Sequence, residues 1–394
     1  MSRPPRVLFV APVEPWCREN GSSLITADLL DALSRIEVDL LPVFIRRPPP
    51  GYVREPPPGM EGLLLDIPGL PRWMSVLRAL RHLAFPLRYR FDNRVVAERL
   101  LHAVGEKGFR PDLVHVEHLP LVDVGHQVSS TLDVPLVYRA HNIESRLWAR
   151  RIGGHERLKR PVVARIEESE AAAVRLADLT LLISKGDRAW ASERAPSARS
   201  ELLPCTLRLE RYDAVPRNPP VFGRQICFVG GLDWAPNEDG LRWFVHSVLP
   251  IVVEHLPDAG LVVLARGAAE RPWLVNNPSV HLLPPESRAA EAFASSHVSV
   301  APLFQGGGVR IKIPESLAVE CPVVATSVGA EGHELPGLTR TDDPGPFADA
   351  CIQYLAPTEG RAELRTKLRA AVETHYGATR QAERLVGFWT ELTR

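Results

Sequence analysis

A chain of 394 residues with 45% hydrophobic content is long enough to build two packed domains. Its 47 basic and 47 acidic side chains cancel, so no bulk field draws it to nucleic acid. The five cysteines (Cys17, Cys205, Cys227, Cys321, Cys351) are scattered without CxxC spacing, which argues against a disulfide framework or zinc site and for a reducing, cytoplasmic setting. MSRPPRVLFVAP passes at once into an apolar strand with no cleavage pattern, so it does not read as a signal peptide. No apolar run approaches the ~20 residues that a membrane crossing needs.

RVLFVAP (6–12) reads as a buried strand, followed by the loop EPWCRENGSS around Gly21 and an amphipathic helix to about Leu33. VDLLPVF is the next strand, and RRPPPGYVREPPPG is too rich in proline for helix or strand. Residues 72–107 read as two helices. The basic stretch 72–94 carries Arg72, Arg78, Arg81, Arg88, Arg90 and Arg94 among apolar residues, with Pro86 splitting it into a helix pair. Such a stretch, 72–94, fits a peripheral contact with an anionic membrane or a lipid-pyrophosphate acceptor; a plain helix pair with a solvated face fits it as well. DLVHV and VPLVYRA are strands, 156–177 is a long Ala-rich charged helix, and LTLLIS and SELLP are short strands. Residues 209–222 break this alternation and read as a linker between a first domain, 1–208, and a second, 223–375. The second repeats the alternation through QICFVGG, LVVLARG, VHLLP, VSVAP and PVVAT. Strand–helix alternation implies parallel sheets covered on both faces.

The richest chemistry lies in VAPLFQGGGVRIKIPESLAVECPVVATSVGAEG (300–332). A strand ends in Gly306, Gly307 and Gly308, then Val309, Arg310 and Lys312 lead into a helix whose first turn suits Pro314. A glycine loop feeding a helix exposes backbone N–H groups beside the positive end of the dipole, a setting for phosphate. Two cations there oppose the dipole unless an anion offsets them. A solvated helical turn after a plain glycine turn is the bland alternative; the conflict with the dipole favours an anion site. Glu315, one turn on, is placed to accept ribose hydroxyls, so the expected ligand is a nucleotide. ENGSS is not a G-x-G-x-x-G fingerprint, which argues against NAD. No Asp-x-Asp ends a strand, and Asp342 and Asp343 read as a turn, so no metal and no cofactor are expected.

This glycine loop with Arg-x-Lys-x-x-Glu and PVVAT-x-x-GAEG, together with FVGGLDWAPNEDGLRWFVHSVLPIV (228–252) and, in outline, LVYRAHNIESRLWARR (136–151), resembles the GT-B glycosyltransferases, in particular the retaining family four or "group 1". The resemblance implies an α/β GT-B fold, two Rossmann-like domains facing each other across a cleft, with the last helix (376–394) packing back on the first. It implies a UDP- or GDP-sugar donor and a glycan or lipid-linked acceptor, in cell-surface polysaccharide synthesis at the cytoplasmic side of the membrane. Gly307, Gly308, Val309 and Glu315 would bind the donor, Arg310 and Lys312 would hold the diphosphate, and His141 would lie near the reacting sugar. Gly21, Asn142 and Glu144 would line the acceptor side. Glu117 and His118 follow as second candidates, with a satisfied strand end the slightly preferred reading.

The sequence departs from the family pattern twice. Of a pair of glutamates flanking the loop, Glu315 matches the second, but the first falls on Gly307. An Arg and a Lys after the first strand of the second domain fall on Gly231 and Asp239, which moves the phosphate role to Arg310 and Lys312. A nucleotide-sugar 2-epimerase and a non-catalytic GT-B protein binding a sugar nucleotide or a partner remain the alternatives.

Overall fold

The computed structural model describes residues 3–12, 21–46, 62–67, 73–74, 92–151, 156–306, 308–356 and 361–394. The proline-rich 47–61, the core of the basic stretch at 75–91 and Gly307 lie outside the described residues. The chain divides into two compact units, Met1–Thr206 with Ala378–Arg394, and Leu207–Gly377.

The first unit is a seven-stranded parallel sheet. Its strands are β1 (Arg6–Ala11), β2 (Asp39–Arg46), β3 (Leu63–Asp66), β4 (Leu113–Glu117), β5 (Leu136–Ala140), β6 (Leu179–Leu182) and β7 (Ser200–Leu202). They lie in the order β3-β2-β1-β4-β5-β6-β7. β4, β5 and β6 are buried at every residue, because helices cover both faces and the strands need no polar side. Alternate residues of β1 feed two cores. Leu8 and Val10 join Val114, Val116 and Val96 on one face. Val7 and Phe9 join Leu29 and Leu33 of α1 (Gly21–Leu33) on the other. The last helix, α6 (Ala378–Leu392), contributes Ala382, Leu385 and Trp389 to that second core.

The second unit has a six-stranded parallel sheet in the order β10-β9-β8-β11-β12-β13. Its strands are β8 (Arg224–Val229), β9 (Ala259–Leu264), β10 (Val280–Leu282), β11 (Val298–Ala301), β12 (Val323–Ala325) and β13 (Leu338–Arg340). The segment 209–222 is docked on this unit. Tyr212 is buried, Arg369 donates to Leu209 O at 3.0 Å and pairs with Asp213, and Arg217 pairs with Glu320 at 2.9 Å.

In both sheets the order in which strands are added reverses once, between β1 and β4 and between β8 and β11. In open α/β sheets that switch point, outside the carboxyl ends of the strands, is where ligands bind.

Candidate active site

In the first unit, β4 and β5 pair with Glu117 opposite Arg139. The two strand ends therefore deliver Glu117, His118 and His141 to one place. His141 Nε2 makes a short hydrogen bond to Glu117 Oε2, and the rings of His118 and His141 stack with centroids 3.8 Å apart. Glu117 and His118 are thus joined to His141 by these contacts rather than standing as an isolated strand end. His118 has φ 70°, a left-handed conformation that non-glycine residues seldom hold and that gathers at functional sites. Glu117 also meets His115 Nε2 at 3.1 Å and Arg139 Nη1 at 3.5 Å, all fully buried. Burial alone would raise the Glu117 carboxyl, but the Arg139 guanidinium, His141 and hydrogen bonds from both histidines outweigh it and hold it well below the usual carboxylate range.

The segment after His141 is held from behind. Glu144 opens α2 (Glu144–Arg151), and Glu170 on α3 (Glu156–Leu176) accepts the backbone N–H groups of Glu144 and Ser145. A carboxylate capping two amides of a helix N-terminus satisfies donors that no helix residue reaches. Burial nevertheless pushes the Glu170 carboxyl up to about 7, against those hydrogen bonds. Asn142 and Glu144 are half-buried beside this cap. Gly21 is the first residue of α1, and the loop before it lies outside the described residues.

Among the described residues, Glu117, His118 and His141 have ligand atoms all within 4.8 Å of one another, a spacing a metal could use. The carboxylate is already committed, however, one oxygen to each of two histidines and with a guanidinium alongside. A divalent cation there would share Glu117 with the Arg139 charge.

In the second unit, the loops after β8 and β11 meet. The guanidinium of Arg310 lies 5.2 Å over the Trp234 ring. Gly306 sits between them with φ 127°; a Cβ there would fall 2.2 Å from Arg310 Nη2 and 2.9 Å from the Trp234 ring, so the position requires glycine. Gly240 on α4 (Ala235–Trp243) lets that helix approach the end of β11, since a Cβ would lie 2.0 Å from Pro302 O. Gly308, φ 76°, and Val309 are half-buried and lead into α5 (Lys312–Ala318). The backbone at Arg310 is pinned by His333, whose Nε2 donates to Arg310 O at 3.0 Å while Nδ1 accepts from Tyr376 at 2.8 Å. Burial pushes His333 down to about 3 and keeps it neutral.

Lys312 Nζ lies 2.8 Å from Glu315 Oε2, and the buried Glu315 accepts from the Tyr212 hydroxyl on Oε1 at 3.0 Å. The two cations are thus distributed: Arg310 against the β8 loop, Lys312 against the helix carboxylate. Gly231 and Asp239 supply no positive charge, but Arg266, from the loop after β9, pairs with Asp233 at 3.0 Å. Its Nη2 is 3.3 Å from where a Cβ on Gly231 would stand. Sequence reading missed Arg266, Tyr212 and Trp234, because each reaches this place from a different element.

Residues 223–357 match the family described as glycosyl transferases group 1. In three dimensions the chain is similar to sucrose-phosphate synthase from Thermosynechococcus elongatus, at TM-score 0.70 and 15% identity over 98% of this chain and 99% of that one. It is similar to Anabaena HepE in complex with UDP-glucose, at TM-score 0.61 and 13% identity over 98% and 100%. A glycosyltransferase from Rickettsia africae superposes at TM-score 0.66 and 9% identity over 100% of both chains. At such identities the likeness is one of fold. A curated relative, an uncharacterized 44.6 kDa protein in the cps region of Klebsiella pneumoniae, is 24% identical over 163 residues, 38% of this chain and 42% of that protein. The match therefore spans less than half of that relative's length.

Two parallel Rossmann-like sheets with this shared order define the GT-B fold. The match to glycosyl transferases group 1 falls within the second unit, and the chain shares its GT-B fold with solved structures that include a glycosyltransferase.

Proposed function

We propose that this protein moves a sugar from a nucleoside diphosphate donor, a UDP-sugar before a GDP-sugar, to a hydroxyl of a glycan or lipid-linked acceptor, with retention of configuration. The reading rests above all on the glycine-requiring junction of Gly306, Arg310 and Trp234, which sits at the switch point of a group 1 domain. Complexes of structurally similar proteins with UDP, UDP-glucose and UDP-2-fluoro glucose favour uridine.

In this reading Arg310 and Lys312 hold the diphosphate. Negative charge grows on it as the glycosidic bond breaks, so cations aimed there act on the transition state. Glu315, fixed by Tyr212, takes ribose hydroxyls. His141, fixed by Glu117, orients the reacting sugar, and the departing phosphate takes the acceptor's proton. No metal is called on, because fixed cations supply the charge. Synthesis of cell-surface polysaccharide, with 72–94 as a peripheral membrane contact, completes the proposal; no helix among the described residues is long and apolar enough to cross a membrane.

Incubation with UDP- and GDP-sugars tests it. Release of nucleoside diphosphate with transfer or hydrolysis supports the reading. An isomerised donor would make the protein an epimerase, and binding without turnover a non-catalytic member of the fold.

A further inference from the structure

Behind His141 lie four buried residues: Glu117, which holds it, and His115, Arg139 and Trp389, to which the reading of His141 gives no role. They form one connected path inside the first unit. Trp389 Nε1 lies 3.3 Å from His115 Nδ1, His115 Nε2 lies 3.1 Å from Glu117 Oε1, and Glu117 Oε2 meets His141 Nε2. Each link has one allowed direction. An indole N–H only donates, so His115 Nδ1 accepts and the ring's hydrogen is on Nε2. Burial lowers the His115 pKa and keeps it neutral with that single hydrogen. Glu117 is ionised and only accepts, so the nitrogen that His141 turns toward it must carry a hydrogen.

The path is also rigid. His115 stacks on Phe9 with centroids 4.8 Å apart and an interplanar angle of 7°, and Trp389 meets it edge-on at 5.5 Å. Burying a charged network is expensive, and apolar residues of similar volume would serve stability as well. A local rule broken at such cost points to function.

We propose that Glu117 is a positioning residue for His141: anchored on one oxygen through His115 and Trp389, it fixes the His141 hydrogen on Nε2 and leaves Nδ1 as the nitrogen with the lone pair. The helix that closes the chain thereby helps to set the protonation pattern of the site histidine. The consequence for catalysis rests on the proposed role of His141, but the tautomer itself is readable without substrate.

A Gln at position 117 makes a sharp test. Its side chain offers one acceptor and one donor, so one of the two histidines must present a bare nitrogen. Trp389 already occupies the lone pair of His115, so His141 is the one that must change. Two-bond 1H–15N spectra of 15N-histidine-labelled full chain near pH 8, assigned with His115→Gln and His141→Gln, report each tautomer. The expected result is Nε2–H for both rings in the native chain, and a switch of His141 alone to Nδ1–H in Glu117→Gln. His141 as Nδ1–H in the native chain, or unchanged in Glu117→Gln, overturns the proposal. Should Glu117→Gln fail to fold beside the uncompensated Arg139, Trp389→Phe decides: the His115 Nδ1 resonance must move to the value of a nitrogen that accepts no hydrogen bond. An unmoved resonance removes Trp389 and the anchoring from the scheme. None of these results depends on nucleotide binding, so their failure and that of the transferase reading are separable.

Discussion

Tyr212 donates its hydroxyl to Glu315 Oε1 at 3.0 Å, joining the segment that enters the second unit to the carboxylate on α5. Glu315 is buried, and its other oxygen faces Lys312, so both oxygens are positioned before any ligand arrives. A site whose groups are already fixed loses less entropy on binding.

Tyr212→Phe removes that hydrogen bond while keeping the ring. Such a bond contributes ~1 kcal/mol, so the expected loss in UDP affinity is roughly fivefold. The loss should be smaller for 2′,3′-dideoxy-UDP, which has no ribose hydroxyls for Glu315 to hold. Calorimetry on both ligands checks this; equal losses would show that Glu315 does not read the ribose.

Replacing Lys312 with Ala should weaken UDP far more than uridine. A charge-assisted contact to phosphate is worth ~1.5–3 kcal/mol, which gives on the order of tenfold to a hundredfold in affinity. Arg310→Ala should do the same and also loosen the Trp234 contact, raising the loss further. Turnover should fall more than affinity, because phosphate charge grows in the transition state. If both variants bind UDP as the native chain does, the loop is a structural turn.

His141→Ala should lower turnover by roughly a hundredfold, the scale of a lost positioned polar group. UDP affinity should stay within about twofold, since the proposed nucleotide contacts, Arg310, Lys312 and Glu315, lie on the other unit. A parallel loss of nucleotide binding would place His141 elsewhere in the cycle. Activity should also survive EDTA; strict dependence on added Mn²⁺ or Mg²⁺ would overturn the metal-free scheme.

The strands themselves were readable in the sequence wherever apolar runs stood out, though their order in the sheets was not. RVLFVA, LVHVE, LVYRA and VVA each became buried parallel strands. Two strands escaped notice, and both are short edge strands with partly exposed residues. β3 (LLLD) follows the proline-rich stretch, and β13 (LTR) is half polar. An edge strand is recruited by its neighbour's open hydrogen bonds, which sequence patterning does not display. The glycine loop declared itself, because Gly306 holds φ 127°, a backbone conformation that favours glycine. The relation of Glu117 to His141 did not, because it is a pairing of adjacent strands and not a spacing along one. Arg266 and Tyr212 were hidden for the same reason: long-range packing selects them.

Glu170 and His333 should give opposite pH dependences. The folded pKa of Glu170 is raised to about 7 from an unfolded value near 4.5. Its stabilising contribution is therefore complete below 4.5 and lost as pH rises through 7, by up to roughly 3 kcal/mol at about 1.4 kcal/mol per pH unit. His333 is depressed to about 3 from 6.5, so its contribution is present above 6.5 and lost as pH falls toward 3, by several kcal/mol. Other buried groups titrate as well, so each effect is read as a difference from a variant that does not ionise. Relative to Glu170→Gln, the native chain should gain in melting temperature as pH drops from 7 to 4.5. Relative to His333→Gln, which keeps a donor for Arg310 O, it should lose as pH drops from 6.5 to 4. Calorimetric melting of the three proteins across that range checks both signs. A flat difference for His333→Gln would mean that the imidazole is solvated in the folded state. The Tyr376–His333 support beneath Arg310 would then not hold the loop that the donor site depends on.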